Sequence, residues 1–325
     1  MLPSAPDSED GLPQVFIDFK RKCETGKATP LTSFPLSKAD YTRLHDKIQA
    51  TFRHFDYDPQ LEHISIRMPP ALHDLFIREF GLAVLDAVRE VGRQNEQARA
   101  FTESINNALS SSVFMIDGDN QWEQQPDAQF EHDEADCSGL VVEVTLTQNA
   151  GHLRKIAHQY IYHTDEDIKM VLCFDLNSDK ESTISVWKPV FYPDPNSDVP
   201  KMEIEQVVQT QACYPFRDAD RSPVPGALTL HLHDFAPDTL CQGCPNLPLP
   251  ISYHDMSDMM AKAERSMELR KRRKDRTPKR ITKRRYVETS EDKMGTEDEK
   301  RCSQEADNAN GKEGGDNGVY KPQES

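Results

Sequence analysis

Two acidic residues lie in segments whose other residues predict buried strands. Asp127 follows Pro126 in QPDAQF (125–130), and Glu143 lies inside the apolar run GLVVEVTLTQ (139–148). A carboxylate in a buried strand is strongly unfavourable unless a positive partner neutralises it. Two such carboxylates at the ends of adjacent strands can share a cation. Because Mg²⁺ is commonly held by one or two carboxylates with waters and phosphate oxygens, Asp127 and Glu143 form a candidate metal site.

The segments that must position these acids alternate between strand and helix patterns. After the two strands, LRKIAHQYI (153–161) has the spacing of an amphipathic helix. The runs IKMVLCFDL (168–176) and STISVWKPVFY (182–192) predict further strands. With a helix expected at 97–111, the order is helix, strands, helix, strand. This order predicts an α/β fold, close to the border with α+β, that contains a mixed sheet.

The order of these motifs resembles the PD-(D/E)xK nuclease superfamily, whose fold is restriction-endonuclease-like. Pro126-Asp127 matches the PD half, and Glu143-Val144-Thr145 stands where E-x-K is expected. The succession PDAQF, VVEVTLTQ, LRKIAHQYI, STISVWKP also resembles a group of uncharacterised fungal proteins and, more distantly, a large bacterial family of restriction-endonuclease-like proteins. The resemblance covers roughly 70–190 and implies a nuclease-like core at about 97–192. It also implies that Asp127 and Glu143 bind Mg²⁺, which activates water against a phosphodiester.

The lysine of the family motif is absent, because Thr145 occupies its position. Two other residues are candidates for this third catalytic role. Gln148 could orient a water, and Lys155 could supply charge from the following helix. However, at about 100° per residue, Lys155 lies nearly opposite the apolar stripe of that helix, so a solvated lysine is the favoured interpretation.

The remaining pattern predicts how the chain is organised. Residues 1–40 are rich in proline, serine and charge, and we expect them to be disordered. One globular domain is expected over 41–269. Its further elements are helices at 38–55, 71–91 and 97–111, a first core strand at 113–116, sheet-extending strands at 201–213 and 227–235, and a last helix beginning near 255.

Composition limits the classes of protein to which the chain can belong. Charged residues make up 29% of its 325 residues, and the mean hydropathy is −0.73. No apolar run approaches the roughly 20 residues of a membrane span, and the N-terminus lacks a signal-peptide pattern. The seven scattered cysteines suit a reducing compartment. The pair in CQGC (241–244), with His231 and His233, does not favour zinc, because no second C-x-x-C follows.

A dense basic run separates the expected domain from the tail. Eleven of the sixteen residues in 270–285 are Lys or Arg, although the whole chain has a formal charge of −16. Two clusters, which include Arg270, Lys271, Arg272, Arg273, Lys274 and then Lys283, Arg284, Arg285, resemble a bipartite nuclear localisation signal. They predict a nuclear protein that binds an import receptor, and such a run also suits nucleic acid. The acidic segment 286–325 is expected to be disordered.

Two functions follow from these observations. In the first, the chain is a nuclear enzyme that hydrolyses nucleic acid with Mg²⁺, using Asp127 and Glu143 with help from Gln148 or Lys155. In the second, the same fold is a non-catalytic interaction scaffold in the nucleus. There, Asp127 only caps a turn and Glu143 only pairs with a nearby base. The enzyme requires the Asp127 and Glu143 carboxylates within metal-bridging reach, in an open cleft lined by at least one cation. A filled or capped cleft favours the scaffold.

Overall fold

The computed structural model describes residues 11–25, 28–29, 31–146, 150–195, 197–207, 214–274 and 301. Contacts divide the chain into two units, Met1–Lys274 and Asp275–Ser325, and every element below belongs to the first. The helices are α1 (Gln14–Glu24), α2 (Lys38–Thr51), α3 (Ala71–Gln94), α4 (Arg99–Glu103), α5 (Ala150–Tyr162) and α6 (Tyr253–Lys274). No helix in the described ranges has both the length and the apolar character that crossing a membrane requires.

The described strands form three sheets. Their bounds are β1 (Leu31–Pro35), β2 (Phe55–Asp58), β3 (His63–Arg67), β4 (Ile105–Asn107), β5 (Val113–Asp117), β6 (Asn120–Gln124), β7 (Ala128–His132), β8 (Leu140–Thr145), β9 (Met170–Asp175), β10 (Ser182–Tyr192), β11 (Lys201–Gln206), β12 (Tyr214–Arg217), β13 (Ala227–His231) and β14 (Pro248–Ser252). The small sheet has the order β1-β3-β2-β6-β5, and the large sheet has the order β11-β10-β9-β8-β7-β4 with β12 beside β10. Strands β13 and β14 pair separately.

The large sheet has the mixed character that the motif order predicts. Strands β7 and β8 are antiparallel, whereas β8 and β9 are parallel and are connected through α5. Strand β10 then returns antiparallel to β9. The α/β class and this sequence of elements are confirmed. The connection through a helix is what a parallel strand pair requires.

Three apolar clusters hold the layers together. One cluster packs α3 and α6 against the large sheet, and a second packs α5 against the same sheet and against β5 and β6. The stripe predicted for α5 is buried in this second cluster. The third cluster joins α1 and α2 to the small sheet. The region where the small and large sheets meet therefore lies among packed helices and strands.

The expectation of disorder over 1–40 is wrong for the described part of that segment. Helix α1 buries Phe16 and Phe19, and Phe34 of β1 packs with them. These few apolar residues are diluted by charge in the sequence, but α2 and the small sheet supply the rest of their core. Residues 1–10 lie outside the described residues.

Three other element predictions are corrected. The segment 97–111 holds only the short helix α4, because Ile105–Asn107 pairs with β7 instead of continuing the helix. The strand predicted at 113–116 belongs to the small sheet, where it pairs with β6. The segment 227–235 does not extend the large sheet, since β13 pairs with β14.

Candidate functional site

Asp127 is fixed at the junction between the sheets by the backbone of β8. Its own N–H donates to the carbonyl of Val142 over 3.1 Å. Its Oδ2 accepts the Val144 N–H at 2.7 Å, so both backbone and side chain are fastened to the neighbouring strand. The residue is 9% exposed. The turn-capping role considered for Asp127 is replaced by a bond across two strands.

Glu143 lies within β8 and is 3% exposed. Its Oε1 accepts the Tyr160 hydroxyl at 2.9 Å. Tyr160 belongs to the buried stripe of α5, so the helix that packs on the sheet also supplies a donor to the acid. The sequence places Tyr160 in the core, which is confirmed, but it does not indicate this hydrogen bond.

An arginine lies between the two acids. Arg67 ends β3, and its Nη1 is 3.2 Å from Oδ1 of Asp127 and 3.1 Å from Oε2 of Glu143. Its Nε is 3.1 Å from Oδ2 of Asp56, and Nη2 donates to Oδ1 of Asp56 and to the carbonyl of Gln125. One guanidinium thus joins three carboxylates from β2, β8 and the start of β7.

A histidine supplies a second basic group. His73, in the first turn of α3, has its Nε2 2.9 Å from Oδ2 of Asp127 and its Nδ1 3.1 Å from Oδ1 of Asp74. Pro69 and Pro70 precede α3 and set its entry beside the end of β3. No sequence motif marks Asp56, Arg67 or His73 as residues of this site. Only the position of Arg67 at the end of an alternating run, before the proline pair, marks this corner of the chain.

The ionisation of the two acids differs. Burial alone raises the pKa of Asp127, but His73 and Arg67 outweigh it and lower this pKa to about 2. Burial, reinforced by Asp127 and Asp56, raises the pKa of Glu143 well above its usual range despite the opposing charge of Arg67. Burial works to lower the pKa of His73, yet Asp127 and Asp74 raise it to about 9. The centre therefore favours ionisation of Asp127 and His73 and opposes ionisation of Glu143.

These donors occupy the oxygens that a metal ion would need. Arg67 and Tyr160 contact the two oxygens of Glu143. Arg67, His73 and the Val144 N–H contact the two oxygens of Asp127. A cation between the acids would have to displace the guanidinium. The residues present therefore do not fit Mg²⁺ in this arrangement.

A small cavity of about 140 Å³ lies beside the acids. Its polar side is formed by Arg67, His73, Asp127, Glu143 and His152. Its apolar side includes Leu153 and Ile156. Thr145, at the position of the family lysine, also lines it. A molecule that enters the cavity therefore meets the two acids together with Arg67.

Of the two candidates for the third catalytic role, only Lys155 is among the described residues, and it does not join this cluster. Gln148 lies outside the residues that the structure describes. The Lys155 side chain is 52% exposed, and its Nζ is 3.1 Å from Oδ2 of Asp58. The prediction that Lys155 faces away from the apolar stripe is confirmed by this exposure.

The C-x-x-C segment forms a turn in which the Cys244 N–H donates to the carbonyl of Cys241. Cys241 is buried, and its thiol donates to the Ala236 carbonyl over 3.6 Å. The His233 ring contacts the Cys244 carbonyl at 2.8 Å instead of a sulfur. Within the described ranges, no group of three or more His, Cys, Asp or Glu side chains has an arrangement suited to a metal ion.

The basic run begins on described residues. Arg270–Lys274 form the end of α6, where Arg270–Arg273 are exposed. Lys283, Arg284 and Arg285 lie outside the described residues.

The sequence matches no protein-family model and no curated protein. The resemblance to the nuclease superfamily therefore depends on the motifs alone, and the geometry around Arg67 is what bears on function.

Proposed function

We propose that this chain is a non-catalytic nuclear interaction protein, in which a nuclease-like α/β fold serves as a scaffold. The observation that carries the proposal is the position of Arg67, whose Nη1 bridges Asp127 and Glu143 at 3.2 and 3.1 Å. Arg67 stands where the nuclease hypothesis requires a metal ion. A guanidinium can neutralise the acids, but it cannot activate a water as a metal does.

Two further features favour the scaffold over the enzyme. Burial and the acidic neighbours Asp127 and Asp56 raise the pKa of the proposed metal ligand Glu143, which opposes the ionised form that a metal needs. The nearest candidate for the missing lysine, Lys155, is paired with Asp58. The nuclease hypothesis thus lacks a free pair of carboxylates among the described residues, and its candidate lysine for the reacting phosphate is engaged elsewhere.

The nuclear part of the proposal is supported by the basic run 270–285, in which eleven residues are Lys or Arg. Such a run suits an import receptor. We expect deletion of 270–285 from a fluorescently tagged chain to abolish nuclear accumulation. Unchanged localisation would remove this part of the proposal.

A cleavage assay tests the absence of catalysis. Purified wild-type protein is incubated with plasmid and single-stranded DNA in Mg²⁺ or Mn²⁺, beside Glu143→Ala and the exposed control Glu103→Ala. We expect no cleavage above background in any sample, and no calorimetric metal binding that depends on Glu143. Metal-dependent nicking by the wild type and by Glu103→Ala, lost in Glu143→Ala, would establish a nuclease and overturn the proposal.

A further inference from the structure

Strand β5 ends the small sheet and pairs, among the described strands, with β6 alone. The two strands are connected by Gly118 and Asp119, and Asp117 pairs with Asn120. In a hairpin with a two-residue loop, the residue pair that closes the loop is hydrogen-bonded. Hydrogen-bonded and non-hydrogen-bonded pairs then alternate along the two strands. The N–H and C=O groups of Phe114 and Ile116 therefore point away from β6, toward the open edge.

This edge lacks the usual features that prevent pairing with another chain. Exposed edge strands are commonly protected by lysine, by proline or by a bulge. The sequence of β5, VFMID, has neither lysine nor proline, and its pairing with β6 is regular. Phe114 is 52% exposed and Ile116 is 68% exposed. Strand β5 thus offers outward backbone groups together with two apolar side chains.

An open pocket of about 380 Å³ adjoins β5. Helix α2 forms one wall, and Phe114 and Gln121 form the other. Glu123 lies at the base and is 1% exposed. It accepts hydrogen bonds from the Tyr41 hydroxyl, from the His45 ring at 2.8 Å and from the Ser112 hydroxyl at 2.5 Å.

The pocket has a net negative charge. Asp46 and Asp119 line it together with Glu123, and the Asp46 side chain is fully exposed. The cationic groups facing it are Lys38, whose Nζ is bonded to Asn120, and His45, which is bonded to Glu123. An occupant of this pocket therefore meets a net negative surface, which attracts basic groups.

We propose that β5 and this pocket bind an extended, basic segment of a partner protein. The segment adds a strand to the small sheet beside β5, packs apolar side chains on Phe114 and Ile116, and places a Lys or Arg in the pocket above Glu123. This inference rests on the proposed interaction role and specifies the chemistry of the partner. A second copy of the chain is a poorer occupant, because its β5 would bring another Asp117 and Asp119 to the same edge.

A displayed library of random, strand-length peptides tests the proposal on the full chain in the presence of EDTA. Selection on the wild type should enrich peptides in which Lys or Arg alternates with β-branched or aromatic residues. Phe114→Lys adds a like charge to the edge and should weaken the selected peptides by about tenfold or more, which is about 1.4 kcal/mol. Ile116→Pro removes an N–H that points toward the open edge, and it breaks no hydrogen bond to β6. It should weaken binding of the selected peptides by a similar factor. Leu82→Lys, at a 54% exposed residue of α3, is the control and should leave binding unchanged.

The outcomes test the docking proposal independently of the proposed absence of catalysis. Enrichment of acidic peptides, no enrichment, or equal binding by Phe114→Lys would overturn the docking proposal. A concentration-dependent dimer that Phe114→Lys abolishes would also overturn it, by assigning the edge to a second copy. Metal-dependent cleavage is measured in a different assay, so a nuclease that still binds basic peptides would refute only the scaffold hypothesis.

Discussion

Two buried glutamates among the described residues have pKa values that are shifted in opposite directions. Glu143 is 3% exposed and Glu123 is 1% exposed, so burial opposes ionisation of both. Around Glu143, Asp127 and Asp56 add to the effect of burial, and its pKa is raised. Around Glu123, hydrogen bonds from His45, Ser112 and Tyr41 outweigh burial, and its pKa is lowered.

The difference shows that neighbours, more than depth, decide what a buried carboxylate can do. The Glu143 centre sets Arg67 and His73 against Asp56, Asp127 and Glu143, so much of its charge is offset inside the protein. The Glu123 centre is a single ionised acid held by hydroxyls and one titratable ring, and it lies at the base of an open pocket. The first arrangement suits a structural core, and the second suits recognition of a basic group.

The largest effect is expected from removing the permanent cation, Arg67. Arg67→Met leaves Asp56, Asp127 and Glu143 facing one another, and we expect the free energy of unfolding to fall by about 3–5 kcal/mol in a urea titration. The freed carboxylates should then bind a cation. Mn²⁺ should therefore raise the Tm of Arg67→Met but not that of the wild type.

Two controls accompany this prediction. Arg78→Met removes a surface arginine whose side chain is 58% exposed, and it should change stability by less than about 1 kcal/mol. Arg67→Met combined with Glu143→Gln should recover part of the lost stability and lose the Mn²⁺ effect. An equal Mn²⁺ response in the wild type would show that Arg67 does not block the site.

The pH dependence of stability sharpens the comparison at His73. Its pKa rises from 6.5 to about 9 on folding, through Asp127 and Asp74. This stabilisation is fully present below about pH 6.5 and is lost as pH rises through about 9. We expect the free energy of unfolding to fall by up to about 3 kcal/mol over this window, and His73→Gln to flatten the profile. A wild-type profile that is flat from pH 6 to about 9 would contradict this prediction.

The second centre responds to a smaller change. Glu123→Gln keeps the shape but removes the charge that three donors share, and we expect a loss of about 1–2 kcal/mol. The hydrogen bond to Glu123 is the largest cause of the raised pKa of His45. In Glu123→Gln, NMR titration should therefore show a lower pKa for His45 and no change for His73. An unchanged His45 titration would disprove the assigned contact.

Local periodicity explains which elements could be predicted from the sequence. Strand β10 has the predicted bounds 182–192, and the stripe of α5 is buried as predicted, because both patterns are uninterrupted. By contrast, Ile105–Asn107 continues a helical pattern but forms a strand. Its pairing with β7 decides the outcome, and no local pattern encodes that pairing.

The site was only half predictable for a similar reason. Asp127 and Glu143 are marked by their apolar surroundings, and the structure brings them together on one guanidinium. Arg67 is 60 and 76 residues away from them in sequence. A charged residue at the end of a short strand is ordinarily solvated, so nothing local distinguishes one that is partly buried between two sheets.

Lys155 provides the smallest expected effect and the test of its catalytic candidacy. Its side chain is 52% exposed, and its ion pair with Asp58 is largely screened, so Lys155→Met should change stability by less than about 1 kcal/mol. The variant should also leave metal binding and the cleavage background unchanged, because its Nζ contacts Asp58 and neither Asp127 nor Glu143. If Arg67→Met acquires metal-dependent cleavage, adding Lys155→Met decides the point. Loss of that cleavage would show that Lys155 can reach the phosphate once the guanidinium is gone, whereas retained cleavage would confine Lys155 to the surface.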